Sequence, residues 1–412
     1  MSHKLVSLLG LVSFIAIAWA LSTDRKRFPW RTVLWGLGLQ LGVAILILKT
    51  PLGLGAFELA RRVVAKLGQV STEGAKMVFG PLAEGATLAR SFGPSNSFVF
   101  AISITASIIV VASLSSLLYH WGLLQRVVRA MSWVMKHAMG TSGSESLAAA
   151  ANVFMGQTEA PLLVRPYIAL MTRSELLALM VGGMATIAGG VLVIYASMGA
   201  DTGHLVTASV MSAPAALMIA KILMPEIPSS RTVGTTPVLE PSTAGNSIDA
   251  LCRGASDGLM LSLNVLAMLL AFVAVVSLAE FLFAWALRPL GLHWTLREVL
   301  GWLNTPIAWL LGIPWRDCPA IGQALGERIL LNEFFGYVTL IKHQSDIEPR
   351  SFVLATYALC GFANFGSIAI QIGGIGALVP ERRSELAQLG LRSMVGGLLA
   401  CYATACIVGI LL

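Results

Sequence analysis

The chain has 412 residues, 56% of them hydrophobic and 12% charged, with a mean hydropathy of +0.78. That charged share is about half the usual quarter of a soluble domain, which excludes an ordinary soluble fold and marks an integral membrane protein. The formal charge of +7 would suggest nucleic acid in a soluble chain, but the basic residues are spread over short loops, where they set topology rather than bind a partner.

Apolar runs long enough to cross a bilayer lie at 5–20, 33–48, 98–119, 176–198, 205–223, 259–287, 352–378 and 389–412, which makes eight spans. The first has features of a cleavable signal peptide in Lys4, a short apolar core and Ala18-Trp19-Ala20. Arg25, Lys26, Arg27 and Arg31 follow directly, and positive charge there holds that end in the cytoplasm, so the segment reads as a retained helix with the N-terminus outside. Residues 51–97, with glycine and three glutamates, read as an outer connector or a contact between copies of the chain in a trimer. Residues 121–137 place Arg126, Arg129 and Lys136 among Leu123, Leu124, Val127, Val128, Trp133 and Val134, the pattern of an amphipathic helix on the inner surface. The 201–204 loop carries Asp201 without Lys or Arg and reads as outer. Lys221, Arg231 and Arg253 mark 225–247, rich in Pro, Ser and Thr, as a cytoplasmic loop. The stretch 288–350 reads as outer, and Arg382 and Arg383 mark the inner loop before the last span.

Two polar islands interrupt this pattern. Gly156-Gln157-Thr158-Glu159 lies between apolar stretches 148–155 and 160–164, and Asn332-Glu333 lies between 329–331 and 334–335. Ionisable groups at membrane depth are costly and usually line a cavity or pathway, so both glutamates are functional candidates. The flanking apolar pieces are too short to cross at about 1.5 Å per residue and read as re-entrant hairpins. In the first, a helix is expected to run to Met155 and a return helix to open at Pro161; the second, over 320–341, repeats the plan with Asn332-Glu333 at its tip. Such backbone is tolerated only where it is buried in protein or lines a watery cavity.

Each hairpin is followed by a span with its own weak point, Gly182-Gly183-Met184-Ala185-Thr186-Ile187-Ala188-Gly189-Gly190 and Cys360-Gly361-Phe362-Ala363-Asn364-Phe365-Gly366-Ser367. Glycine beside a hydroxyl or amide suits an unwound segment whose carbonyls and side chains hold a ligand or ion. Close helix packing is the alternative for a glycine pair alone. The combination occurs twice, and the loop charges make the first hairpin enter from the cytoplasm and the second from outside. That is an inverted repeat, the architecture of a transport site at the bilayer midplane. The expected organisation is N-terminal helices and outer connector (1–97), scaffold helix and interfacial helix (98–142), first repeat (143–224), loop, scaffold helix and outer connector (225–314) and second repeat (315–412).

Other chemistries find less support. Cys252, Cys318, Cys360, Cys401 and Cys406 form no C-x-x-C pair, and the six histidines have no ligand spacing. No G-x-x-x-x-G-K-S/T loop is present to hydrolyse ATP, so a pump here would run on an ion gradient. An intramembrane enzyme could use Glu159 and Glu333 as acid and base, but no nucleophile–histidine pair accompanies them. A passive channel would not need two broken repeats.

The motifs resemble those of the concentrative nucleoside transporters. Asn152-Val153-Phe154-Met155-Gly156-Gln157-Thr158-Glu159-Ala160-Pro161 is similar to that family's first hairpin. Gly326-Glu327-Arg328-Ile329-Leu330-Leu331-Asn332-Glu333-Phe334-Phe335-Gly336-Tyr337 is similar to its signature G-x-K-x-x-x-N-E-F-V-A-Y, and Cys360–Ile368 is a third match. Arg328 replaces the usual Lys, and Phe335-Gly336 replaces Val-Ala. The resemblance implies an all-α membrane protein of about eight transmembrane helices with two opposed hairpins, located in a bacterial inner membrane as a homotrimer. It further implies that Gln157, Thr158 and Glu159 face a nucleobase, that Glu333, Asn364 and Ser367 hold the ribose, and that Phe362 and Val191 complete the substrate site. The apolar wall opposite Phe362 is expected from 259–269. The implied coupling ion is sodium, held by Asn152, the Met155 carbonyl, Thr186 and the Ile187 carbonyl, with a proton taken up by a buried glutamate as the alternative. Partners are then nucleosides and membrane lipid, and no other cofactor is called for. Preference between purines and pyrimidines is left open.

Overall fold

A chain in hydrocarbon must satisfy its backbone hydrogen bonds within each segment, and this sequence does so with helices alone. The computed structural model describes residues 3–93, 99–226, 244–290 and 294–412, and contains no strand among them. The N-terminal part is α1 (His3–Ala20), α2 (Trp30–Lys49), α3 (Pro51–Phe79) and α4 (Gly85–Phe92). The next unit is α5 (Phe100–His120), α6 (Leu123–Met139), α7 (Gly143–Asn152), α8 (Ala160–Leu163), α9 (Arg165–Ile168), α10 (Arg173–Ala185), α11 (Gly189–Met198) and α12 (Thr202–Leu223). The last is α13 (Ser247–Leu287), α14 (Leu296–Leu310), α15 (Cys318–Leu330), α16 (Glu333–Lys342), α17 (Pro349–Leu359), α18 (Phe365–Leu378) and α19 (Arg383–Leu411).

The second and third units run in the same order. Each has a long span (α5, α13), a shorter amphipathic helix (α6, α14), a hairpin (α7 to α9, α15–α16), a helix broken in mid-course (α10–α11, α17–α18) and an unbroken span (α12, α19). The long spans pack on one another through glycine: a Cβ on Gly254 would lie 2.6 Å from the Ala112 carbonyl oxygen, and one on Gly258 would lie 2.8 Å from Ile109 Cα.

Several expectations are corrected. Helix α7 stops at Asn152, three residues before Met155. Its last bonds contract to three-residue spacing, Val153 N–H to Ala150 and Phe154 N–H to Ala151, which tightens and closes the helix before Gly156. The return arm opens near Pro161 but is two single turns, α8 and α9, rather than one helix. Pro166 has no N–H to give the Leu162 carbonyl, so the ladder cannot continue through it. Most of 51–97 is helical as α3 and α4, and the outer stretch contains α14, which had no place in the sequence reading. Residues 94–97 of the first connector, and 227–243 of the cytoplasmic loop with Arg231, lie outside the described residues.

The two broken helices meet where they break. Residues 186–188 separate α10 from α11, and 360–364 separate α17 from α18; the Phe362 N–H donates to the Thr186 carbonyl at 3.2 Å. A Cβ on Gly361 would lie 2.8 Å from both the Met184 carbonyl oxygen and Cys401 Sγ, so only glycine permits this approach. The Cys401 thiol on α19 is shared between the carbonyls of Ala185 (3.6 Å) and Cys360 (3.5 Å), the freed ends of both broken helices. Arg328, fully buried, donates to the Ala358 carbonyl and to Cys401 Sγ, and lies 5.9 Å over the Tyr402 ring. Its charge thus sits at the negative end of α17.

Where α7 and α10 begin and α12 finishes, capping boxes start α7 (Ser142 with Glu145) and α10 (Thr172 with Glu175). Lys221, in the last turn of α12, pairs with Glu145 at 2.7 Å and Glu226 at 2.6 Å and donates to Ser174 Oγ at 2.9 Å. Glu145, Glu175 and Glu226 are close enough to hold a metal ion, but the Lys221 ammonium already pairs with two of them, Glu145 and Glu226.

Gly361→Ala is expected to destabilise the protein by about 1–3 kcal/mol through overpacking. A thermal unfolding midpoint in detergent equal to that of the parent would show that the crossing tolerates a methyl group.

Candidate functional site

The crossing brings both hairpin tips and both breaks to one cavity of about 570 Å³. Gln157, Thr158, Glu159, Val191, Glu333, Phe362, Asn364 and Ser367, all eight of the candidate substrate residues, line it. They come from four separate elements: the first tip, the start of α11, the second tip and the start of α18 with the break before it.

Each polar group is positioned by local structure. Asn332 caps α16, with its side chain accepting from Phe335 N–H, and this places Glu333 in the first helical turn, where a carboxylate is favoured. Glu333 accepts from the Tyr195 hydroxyl at 2.8 Å on one oxygen and from the Asn364 amide at 3.1 Å on the other. Asn364 is itself the cap of α18, its carbonyl oxygen accepting from Ser367 N–H at 2.8 Å, so one residue both ends the break and orients the carboxylate. Glu333, Asn364 and Ser367 are 6%, 3% and 2% exposed, buried enough to be pre-set before any ligand arrives. In the first tip, Glu159 accepts from Gly156 N–H at 3.3 Å, folding the turn back on itself. Gln157 donates to Ser367 Oγ at 3.1 Å, which ties the first tip to the second broken helix.

The cavity holds two carboxylates, and no lysine or arginine is among its described lining residues. Its far wall comes from α13, as Leu261, Asn264, Val265, Ala267 and Ala271, so the wall is not purely apolar and extends beyond 259–269. The side chains of Met268 and Leu269, within that expected range, lie outside the described residues.

The candidate ion ligands lie on neighbouring segments, the first tip and the first break. The tip backbone lies against the first break: a Cβ on Gly189 would be 3.1 Å from the Phe154 carbonyl oxygen, and one on Gly156 would be 3.5 Å from Ala188 Cβ. The Asn152 amide lies against Gly182, is 1% exposed, and has no hydrogen-bond partner on either its oxygen or its nitrogen. A buried amide left without partners costs free energy that a ligand can return. Among the described residues no hydrogen bond reaches the carbonyls of Met155 and Ile187, and Thr186 gives its proton to the Gly182 carbonyl at 2.9 Å, leaving its oxygen to accept. The candidate set is therefore one of neutral oxygens, the donor type that suits a small hard cation.

Two further polar residues, Tyr195 and Asn264, line the cavity, and a third, Gln371, lies behind it against Gln157. Tyr195 stands one helical turn after Val191 on α11, Gln371 one turn after Ser367 on α18, and Asn264 is an isolated amide in an apolar run. The four-residue spacing on a helix face was the available signal for Tyr195 and Gln371.

Comparison with known proteins gives a consistent family. Residues 9–82 match the family described as Na+ dependent nucleoside transporter N-terminus, residues 101–202 match Nucleoside recognition, and residues 204–409 match Na+ dependent nucleoside transporter C-terminus. The chain is 39% identical over 409 residues to the uncharacterized transporter YutK of Bacillus subtilis, covering 99% of both chains. It is 36% identical to the sodium/nucleoside cotransporter 2 of Rattus norvegicus, covering 99% of this chain and 63% of that longer one. The structure of CNTnw in an inward-facing substrate-bound state superposes with a TM-score of 0.92 at 37% identity, over 99% of this chain and 97% of that one.

Proposed function

The chain belongs to the concentrative, Na+-dependent nucleoside transporter family, and from that premise we propose that it imports uncharged nucleosides by sodium symport through the cavity between its hairpin tips. It is a multi-pass membrane transporter, not an enzyme, and couples nucleoside movement to a cation. The observation that carries the substrate reading is the convergence of eight residues from four elements on one cavity with two carboxylates and no lysine or arginine among its described lining residues.

Glu333 is the ribose acceptor in this reading. Tyr195 and Asn364 use one lone pair on each of its oxygens, and a carboxylate has about four such sites, so two remain for ribose hydroxyls. Charge-assisted bonds of this kind are the stronger ones in a dry pocket. Ser367 and Asn364 complete the sugar side, Gln157, Thr158 and Glu159 meet the base edge, and Phe362 with Val191 covers the base face. A nucleotide would bring phosphate charge toward Glu159 and Glu333 with no lysine or arginine among the described lining residues to answer it, so the free nucleoside is the substrate class.

The sodium ion is a second substrate, held by Asn152, Thr186 and the carbonyls of Met155 and Ile187. It gives the unpaired Asn152 oxygen a partner and draws in the Met155 carbonyl, which adjoins Gly156 and Gln157; ordering that tip prepares the base site. Ion and nucleoside then favour the same conformation and stabilise one another's binding. Alternating access follows from the hairpins and broken helices moving as a unit past the α5–α13 pair, within a homotrimer.

Reconstituted protein is expected to accumulate labelled uridine above its external concentration under an inward sodium gradient. Accumulation under a proton gradient alone would replace sodium with the proton, and accumulation under neither would sink the coupled reading. Glu333→Gln keeps the shape and loses the charge, and should weaken uridine binding by roughly ten- to a hundredfold; near-parental affinity in calorimetry would remove Glu333 from the ribose site. Asn152→Ala should abolish the sodium enhancement of uridine affinity while leaving sodium-free binding close to that of the parent, which a titration at several sodium concentrations would test.

A further inference from the structure

Behind the first tip, Gln371 is fully buried on α18. Its Nε2 donates to the Met180 backbone carbonyl at 3.0 Å and to Gln157 Oε1 at 3.2 Å, and Gln157 Nε2 donates in turn to Ser367 Oγ at 3.1 Å. The direction of this chain is fixed at one end. A backbone carbonyl can only accept, so the end of Gln371 that faces Met180 must be its NH2. The same NH2 meets Gln157, which therefore turns its carbonyl inward and its own NH2 outward. Flipping Gln371 would set oxygen against the Met180 oxygen, and flipping Gln157 would set two NH2 groups together. Gln157 Nε2 carries two protons; Ser367 takes one, and the other is left for the cavity that Gln157 lines.

The seat is built for this pair. A Cβ on Gly183 would lie 2.6 Å from Gln371 Nε2 and 2.9 Å from Gln157 Cβ, so glycine is required for the two amides to meet. Gln371 Oε1 is buried without a partner, as expected of a group held for the sake of its donor end.

We propose that Gln371 is a positioning residue for base selection: it holds Gln157 as a hydrogen-bond donor toward pyrimidine C4 or purine C6, so the cavity takes nucleosides whose base presents a carbonyl there, as uracil, hypoxanthine and guanine do. An exocyclic amino group, as in cytosine or adenine, would meet donor with donor. This rests on the nucleoside reading above. Specificity of this type is strong because the mismatched pair leaves polar groups unsatisfied in a dry site.

The test is calorimetric binding of uridine and cytidine, which share a sugar and differ at the base edge, to the full-length protein in detergent with sodium. The parent should bind uridine at least roughly tenfold more tightly. Gln371→Glu, held as the neutral acid with its O–H donated to the Met180 carbonyl, offers Gln157 an acceptor in place of the NH2, so Gln157 turns its own NH2 inward and its carbonyl to the cavity, and the ratio should reverse. Gln371→Met fills the space without setting a direction, and Gly183→Ala displaces both amides; in each the ratio should fall toward one while thermal unfolding reports that the protein is folded. A merely structural Gln371 would weaken both nucleosides alike, so an unchanged ratio in the folded variants, or no preference in the parent, overturns the inference alone. A parent that binds no nucleoside sinks it together with the functional reading.

Discussion

The site depends on a single contact between two pieces of backbone, the Phe362 N–H donating to the Thr186 carbonyl. Breaking a helix inside a membrane strands carbonyls at one end and N–H groups at the other, and each stranded group in hydrocarbon is costly. Here two breaks lie against each other and satisfy part of one another's need. The rest is met by α19, whose Cys401 thiol serves the ends of both α10 and α17, and by Arg328 at the Ala358 carbonyl. Asn364, with its side chain used as a cap, meets the need at the start of α18. The cavity is what remains once the backbone has been provided for, and its polar lining is drawn from the same residues.

Arg328 shows how charge is handled at this depth. It is fully buried, and no carboxylate forms an ion pair with it among the described residues; carbonyl, sulfur and an aromatic face surround it instead. A lysine would offer a point charge there, whereas the planar guanidinium reaches Ala358 and Cys401 with separate nitrogens. Lys221 answers the same problem differently, with two carboxylates directly in contact. The first solution leaves the Glu333 oxygens free of an ion pair and so open to a neutral ligand; the second closes its carboxylates off.

Much of this was legible in the sequence. Polar islands in apolar surroundings located both tips, and glycine-rich stretches with a hydroxyl or amide located both breaks, because these signals are local and chemically costly. The details that escaped reading depend on tertiary neighbours. Helix α7 ends at Asn152 because its last bonds tighten, and no residue type there announces it. Helix α14 went unread because Arg297, Glu298 and Pro306 gave its segment the composition of a loop. Gln371 looks like one more small polar residue in an apolar helix until Gln157 and Met180 are seen beside it. The roles of individual residues came from resemblance, and spacing alone would not have separated the ribose side from the base side.

The two hairpins share a plan but not a build. The first returns through two single turns interrupted at Pro166, while the second returns through the ten-residue α16. Single turns hold few internal backbone bonds, so the first arm can bend at little cost and the second is a stiffer rod. The repeat is therefore symmetric in topology and asymmetric in elasticity. A carrier built this way has no reason to open toward its two sides at equal rates, so its two half-cycles differ in speed while the gradients alone set the direction of net flux.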